Sequence, residues 1–193
     1  MNLTNAARIG TALLVGTLAV NAQVSNYIAP YTPSLTTLVS LGTAPNQSTL
    51  SGSFSATLSG NAINLSVFAD AKGAYSSVTP TISPLAPAEL RTGSTLGSST
   101  LVGLLPGTVT SQNTGFFGVT VTEVSFTAPS QTFSATPGKY WVLVKGLYGA
   151  PGTAGTQTDI LSGTFTVVPE PETYAAAAAL GLVGFGLWRR RNA

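Results

Sequence analysis

The chain has 193 residues, which is enough for one domain with targeting segments, and it contains no cysteine and no histidine. These absences exclude disulfide bonds, a thiol nucleophile, a histidine base and the usual zinc ligands. Only 7% of the residues are charged and the formal net charge of +2 comes from the chain ends, so the neutral middle is not expected to bind nucleic acid.

The first residues have the order of parts of a secretory signal peptide. Arg8 supplies a positive charge, and an apolar run from Ile9 to Val20 follows it. Small residues then occupy the positions before a cleavage site after Ala22, so residues 1–22 are predicted to direct export through the Sec machinery. The alternative, a short buried helix that begins the fold, fits this charge pattern less well.

The middle of the chain has the pattern of a β-protein. Residues 23–167 are rich in Ser and Thr and lack helical periodicity, which favours strands and turns. Residues 51–58 and 62–69 alternate apolar and polar side chains on either side of Ser59-Gly60-Asn61, which is typical of a β-hairpin. The Pro-rich residues 79–87 are expected to be loose.

Further strands are predicted towards the C-terminus. Residues 116–126 are expected to form one strand with a bulge between Val121 and Val124, because the parity of the apolar positions changes there. Residues 139–147 and 159–167 alternate as two more strands, joined by a Gly-rich connection. Many short strands with Gly, Pro and Ser between them indicate an antiparallel β-sandwich.

The middle offers few groups for catalysis or metal binding. Its acidic residues are scattered and no nucleophile motif, phosphate loop or metal-ligand spacing is present, so we expect no enzyme, no metal and no cofactor. Asp70 and Asp159 carry the oxygen ligands that Ca²⁺ takes, but solvated turn aspartates are the simpler interpretation. The rings of Trp141 and Tyr148 are candidate sugar contacts, with packing in the core as the alternative.

A proline motif, an apolar stretch and an arginine cluster follow in that order. Pro169-Glu170-Pro171 precedes the uncharged residues 174–188, and Arg189, Arg190 and Arg191 come next. As a helix the uncharged stretch spans about 22 Å, a short transmembrane length against a hydrocarbon core of about 30 Å. The arginines predict a cytoplasmic C-terminus, and the prolines are expected to keep the motif extended.

This order of parts resembles the PEP-CTERM sorting signal, over residues 168–193. The resemblance implies cleavage near Pro169-Glu170-Pro171 by an exosortase, a membrane-embedded transpeptidase, after transient anchoring in the inner membrane. It also implies a bacterial cell-surface or extracellular-matrix location, with a link to exopolysaccharide and biofilm. Residues 134–167 are similar to the FxDxF-type subgroup, although Phe68-Ala69-Asp70-Ala71-Lys72 contains only the first half of the name-giving pattern.

The sequence therefore predicts three parts. They are a signal peptide over residues 1–22, an all-β, antiparallel β-sandwich-like domain over residues 23–167, and a sorting signal with a single transmembrane helix over residues 168–193. The expected function is that of an exported structural protein of a biofilm or exopolysaccharide matrix. The alternative function is that of a binding module for extracellular polysaccharide.

Overall fold

The computed structural model describes residues 26–41, 48–73, 81–116, 119–169 and 171–192. The predicted signal peptide lies outside these ranges and, like the predicted limits of the three parts, stays a prediction. The elements are, in chain order, β1 (Asn26–Ile28), β2 (Thr36–Thr37), β3 (Thr49–Ser59), β4 (Ala62–Lys72), β5 (Thr81–Pro84), β6 (Ala88–Thr92), β7 (Thr100–Leu105), β8 (Thr108–Phe116), β9 (Val119–Ser134), β10 (Gly138–Gly149), β11 (Thr156–Pro169) and α1 (Pro171–Asn192).

The strands form two antiparallel sheets. The seven-stranded sheet has the order β1-β11-β10-β6-β7, with β2 beside β11 and β5 beside β10. The four-stranded sheet has the order β3-β4-β9-β8. The chain divides into two compact units, of which Ile28–Val168 holds nearly all of both sheets, and α1 belongs to the other. The predicted antiparallel β-sandwich-like domain is therefore confirmed.

The predicted hairpin is present as β3 and β4. The two strands pair from Thr49 opposite Lys72 to Ser59 opposite Ala62, which leaves a two-residue turn. Gly60 in this turn has φ 58°, a left-handed conformation that glycine adopts at no steric cost. Alternation predicted the buried faces correctly, because inward side chains on both strands are apolar and outward ones are mostly polar.

The prediction of one strand over residues 116–126 is wrong. β8 ends at Phe116 and β9 begins at Val119, and these two residues face each other at the end of an antiparallel pair. The residues predicted to form one strand therefore belong to two, because Phe116 is the last residue of β8 and residues 119–126 are the first part of β9. The intervening residues 117–118 include a glycine, a turn signal that the surrounding apolar run obscured.

The predicted bulge lies at a different place in β9. The register of β8 with β9 is regular throughout, including Val121 and Val124. The irregularity is instead on the other edge of β9, where Leu65 of β4 pairs with Gln131 but Val67 pairs with Ala128, so β9 contains one extra residue. Pro129 lies in this interval, and its missing N–H group explains why regular pairing is lost there.

The residues predicted to be loose include a buried strand. All four residues of β5 are buried, and β5 pairs with the second half of β10 from Thr81 opposite Gly149 to Pro84 opposite Gly146. Of the prolines that suggested a loop, Pro84 ends β5 and Pro87 lies in the connection to β6, where they interrupt no central pairing.

The core lies between the sheets and contains a column of aromatic rings. Tyr140 of β10 stacks on Phe165 of β11 with ring centroids 5.3 Å apart. Phe165 lies 6.1 Å from Phe54 of β3, which in turn stacks on Tyr31 at 5.0 Å. The column joins both sheets, so it ties the hairpin β3–β4 to the strands that precede the C-terminal segment.

Candidate functional site

The proline motif marks the boundary between the last strand and the helix. β11 ends at Pro169 and α1 begins at Pro171. Pro169 has no N–H group to continue a ladder, and Pro171 has the fixed φ angle that suits the first position of a helix. The expectation of an extended backbone therefore holds for Pro169, but for Pro171 it is wrong, because that residue starts the helix.

The helix α1 exposes apolar side chains in its second half. It contains 22 residues, which corresponds to about 33 Å. Leu182 is 72% exposed and Trp188 is 61% exposed, and the rings of Phe185 and Trp188 lie 5.9 Å apart. The arginines that end the predicted signal occupy the last turn, where the helix dipole favours positive charge.

The membrane-spanning part of the prediction is contradicted. Among the residues that the structure describes, no helix combines the length and the apolar character that a membrane crossing requires. The apolar run of α1 is bounded by Glu172 on one side and Arg189 on the other, so a longer window includes charged residues. The expectation of a transmembrane helix over Tyr174 to Trp188 is corrected accordingly.

Comparison with known protein families identifies this segment. Residues 167–191 match the family model described as the PEP-CTERM protein-sorting motif. The chain carries a PEP-CTERM sorting motif. The motif marks an exported protein that exosortase processes, and its match begins at Val167, inside the last strand. Searches of curated proteins and of solved structures found no match. Membership of the FxDxF-type subgroup stays a prediction.

The most buried charged group of the domain before the PEP-CTERM motif is Glu89 on β6. Its side chain is 10% exposed, and its two oxygens each lie 2.7 Å from a cation, one from Arg91 Nη1 and the other from Lys145 Nζ. Arg91 also donates from Nε to Ser99 Oγ and from Nη2 to the Ser99 carbonyl, both at 2.9 Å. This network joins β6 to β10 and fixes the chain before β7.

The electrostatics of Glu89 follow from these contacts. Burial by itself raises the pKa of Glu89, but hydrogen bonds from Lys145 and Arg91 outweigh burial and hold this pKa below its ordinary value of 4.5. The carboxylate is therefore ionised across the neutral range, and the group acts as a structural anion.

Replacing Glu89 with glutamine should lower the free energy of unfolding by about 1–3 kcal/mol at neutral pH, because two cations lose their carboxylate. The pKa of Glu89 is lower in the folded state than in the unfolded state. Its ionised carboxylate therefore stabilises the fold at pH values above the unfolded pKa, and this stabilisation is lost as the pH falls through the folded pKa. The difference between wild type and variant should therefore shrink below about pH 4.5. Denaturant titration of the full chain at several pH values measures the difference in the free energy of unfolding between wild type and variant.

The matched control is Glu123→Gln. Glu123 pairs with Lys72 at 3.3 Å, but their side chains are 36% and 51% exposed, so this change should alter stability by less than about 1 kcal/mol. A Glu89 variant that equals wild type at neutral pH, or a difference that grows in acid, would contradict the assignment.

The structure separates the two predicted sugar contacts. Both lie on β10, seven positions apart, which is about 23 Å along a strand. The half-buried Trp141 donates from Nε1 to the Gly93 carbonyl at 2.9 Å, and Lys139 Nζ lies 4.3 Å from the centroid of its ring. Tyr148 packs against the core and donates its hydroxyl to the Ser40 carbonyl at 2.9 Å. They do not form a shared platform, and sugar contact at either stays a prediction.

The two aspartates weighed as calcium ligands lie in different sheets. Asp70 is on β4 and Asp159 is on β11. Burial first, and then the nearby Glu123 carboxylate, raise the pKa of the Asp70 carboxyl, with Lys72 opposing them. In the described ranges no three His, Cys, Asp or Glu side chains come together as a possible metal site.

The outer face of the four-stranded sheet carries a feature that sequence reasoning missed. Phe68 points outward from β4 and is 42% exposed, directly between Ser53 of β3 and Thr127 of β9. Hydroxyl groups surround it, and those of Thr110 and Ser125 are hydrogen bonded to each other at 2.8 Å. We call this surface the hydroxyl face. The alternation of β4 contained the signal, because Phe68 is an aromatic residue at an outward position.

Proposed function

We propose that this protein is a structural component of the extracellular matrix, delivered to the cell surface through its PEP-CTERM motif and held in contact with exopolysaccharide. The proposal gives the chain no catalytic role. Export through the Sec machinery and a final place at the surface belong to the same proposal.

The position of the motif supports this function best. The PEP-CTERM match starts at Val167, which is fully buried in β11, and continues through Pro169 into α1. Because the last strand leads directly into the sorting segment, processing near the prolines releases a β-domain without a long tether. What is delivered is the domain itself, whose outer surfaces are rich in hydroxyl groups.

The test is made in the producing bacterium with the gene deleted and then restored. Deletion should reduce the polysaccharide that stays with the cells, and the full chain should restore it. A chain lacking residues 168–193 should restore it poorly, since it is exported but not sorted. Equal matrix in the deleted and the complemented strains would contradict the structural role.

The hydroxyl face supports a second candidate function, that of a binding module for neutral extracellular polysaccharide. Sugars bind to proteins through an aromatic ring under their apolar face and through hydrogen bonds to their hydroxyls. Phe68 provides an exposed aromatic ring, and Ser53 and Thr127 on the neighbouring strands provide hydroxyl groups. Trp141 and Tyr148 are the sites that the sequence favoured, but their polar atoms are already bonded to main-chain carbonyls.

Affinity electrophoresis of the full chain in gels containing the exopolysaccharide compares these sites. Phe68→Ala should weaken retardation by about tenfold in apparent affinity, whereas Trp141→Ala and Tyr148→Ala should leave it within about twofold. Leu38→Ala is the control, because Leu38 is similarly exposed at 44% but lies outside the hydroxyl face. Retardation that all four variants share with wild type would exclude Phe68 as the contact.

A further inference from the structure

One side of the β-sandwich is closed by main-chain hydrogen bonds that join the two sheets. The Leu35 amide donates to the Gly52 carbonyl and the Phe54 amide donates to the Pro33 carbonyl, both at 2.8 Å. The same segment continues into β2, which pairs with β11 of the other sheet. A Cβ at Gly163 would lie 2.6 Å from the Phe54 ring, so glycine lets the sheets approach here. The edge of β3 is therefore covered.

The opposite side of the sandwich is open. β7 is the last strand of the seven-stranded sheet and β8 is the last strand of the four-stranded sheet. Within the described part of the chain, neither has a strand on its outer edge. Such an edge presents main-chain N–H and C=O groups that can pair with another strand.

The open edge is also apolar and uncharged. Residues 100–112, which form β7 and the first half of β8, contain no Asp, Glu, Lys or Arg. Leu101 is 52% exposed, Leu104 is 48% exposed and Val109 is 42% exposed. Natural edge strands are usually protected by charged side chains, particularly lysine. β7 has no charged side chain, so it lacks the usual protection of an edge strand against pairing with another strand.

An irregularity in β7 places its two exposed leucines on one face. Leu104 pairs with Glu89 and Leu101 pairs with Arg91, although three positions separate the leucines and only two separate their partners. The extra residue in β7 is Val102. Since Glu89 and Arg91 are two apart on β6, they share a face, and so do Leu101 and Leu104.

We propose that β7 is a self-association edge, which pairs antiparallel with β7 of a second copy of this chain. In the register centred between Val102 and Gly103, Leu101 of each copy lies opposite Leu104 of the other. The two-fold axis creates this apolar pair twice, which is the self-complementarity that an isologous dimer needs. The two seven-stranded sheets then continue as one sheet across the interface.

A second copy fits this edge because it brings the same neutral, apolar strand. A charged strand would lose hydration on docking without gaining a partner charge from residues 100–105. The edge is about 20 Å long, so the contact is weak and depends on concentration. The association does not depend on a role in the matrix, and its test needs no polysaccharide.

Sedimentation velocity of the full chain over about 1 µM to about 1 mM tests the proposal. Wild type should shift from monomer to dimer, and Leu104→Lys should raise the dissociation constant at least about tenfold. The control Leu38→Lys changes a leucine of similar exposure away from the edge and should leave association unchanged. Circular dichroism and thermal unfolding verify that each variant is folded.

A cross-linking experiment tests the register independently of affinity. The chain contains no cysteine, so single Leu101→Cys and Leu104→Cys chains can be mixed and oxidised without competing thiols. The mixed disulfide between the two variants should form at least about tenfold faster than either homodimer, because only that pair lies within disulfide reach. A chain that remains monomeric, or association through exposed α1 that ignores Leu104→Lys, overturns the proposal.

Discussion

Replacing Pro169, Glu170 and Pro171 together with alanine should leave the protein exported but uncut. Pro169 ends β11 and Pro171 starts α1, so the prolines keep a strand and a helix apart at this point. Alanine is the best helix former and proline the worst, so the variant should extend α1 towards Val167. A peptide bond inside a helix is poorly presented to a processing enzyme, and cleavage should slow by about a hundredfold.

Intact mass measurement of the protein recovered from cells and from the medium reads out this variant. Wild type should show the mass lost on C-terminal processing, whereas the triple variant should keep the C-terminal residues and stay with the cells. Pro151→Ala makes the same kind of change in the exposed turn between β10 and β11 and should mature normally. If the triple variant matures like wild type, the motif is only a linker and the sorting assignment fails.

The largest loss of stability is expected from adding one methyl group to Gly146. A Cβ at this buried position of β10 would lie 2.5 Å from the Ser83 carbonyl oxygen and 2.5 Å from Ile160 Cδ1. The Ser83 carbonyl is part of the main chain of β5, which pairs directly with β10. This oxygen therefore cannot move away as the end of a flexible side chain could. Gly146→Ala should therefore lower the free energy of unfolding by about 3 kcal/mol, as overpacking of a core does.

Denaturant unfolding of the full chain measures this change against a matched glycine. A Cβ at Gly97 meets nothing within 4 Å, so Gly97→Ala should change the free energy of unfolding by no more than about 0.5 kcal/mol. Equal stability of the two variants would show that β5 is not held against β10 as the structure has it.

Much of the β-sandwich could be predicted because its information is local. The alternation in β3 and β4 places most of their apolar side chains by parity, and the Gly60 turn is two residues long, so that hairpin needs no distant contact to be recognised. The PEP-CTERM motif is equally local, since it is a linear order of residue types that a family model matches over residues 167–191.

The errors in β5, β8 and β9 have a common cause. A run of residues does not reveal whether it continues as one strand or reverses, because both arrangements bury the same apolar side chains. The Pro-rich residues before β6 were predicted to be a loop, although they include β5. Nothing near them in sequence shows that β5 pairs with β10, where Pro84 lies opposite Gly146. Partners far apart along the chain decide such cases.

The sequence by itself therefore determined the all-β class, the hairpins and the sorting segment, whose signals lie within short windows. Tertiary structure alone decided which charges became buried, as with Glu89 between Arg91 and Lys145 from two strands. It also decided which edge is closed and which stays open at β7, and that Phe68 faces solvent among hydroxyl groups. The physical reason is that burial, edge pairing and electrostatic environment are properties of neighbours in space, and most of those neighbours are far apart in the chain.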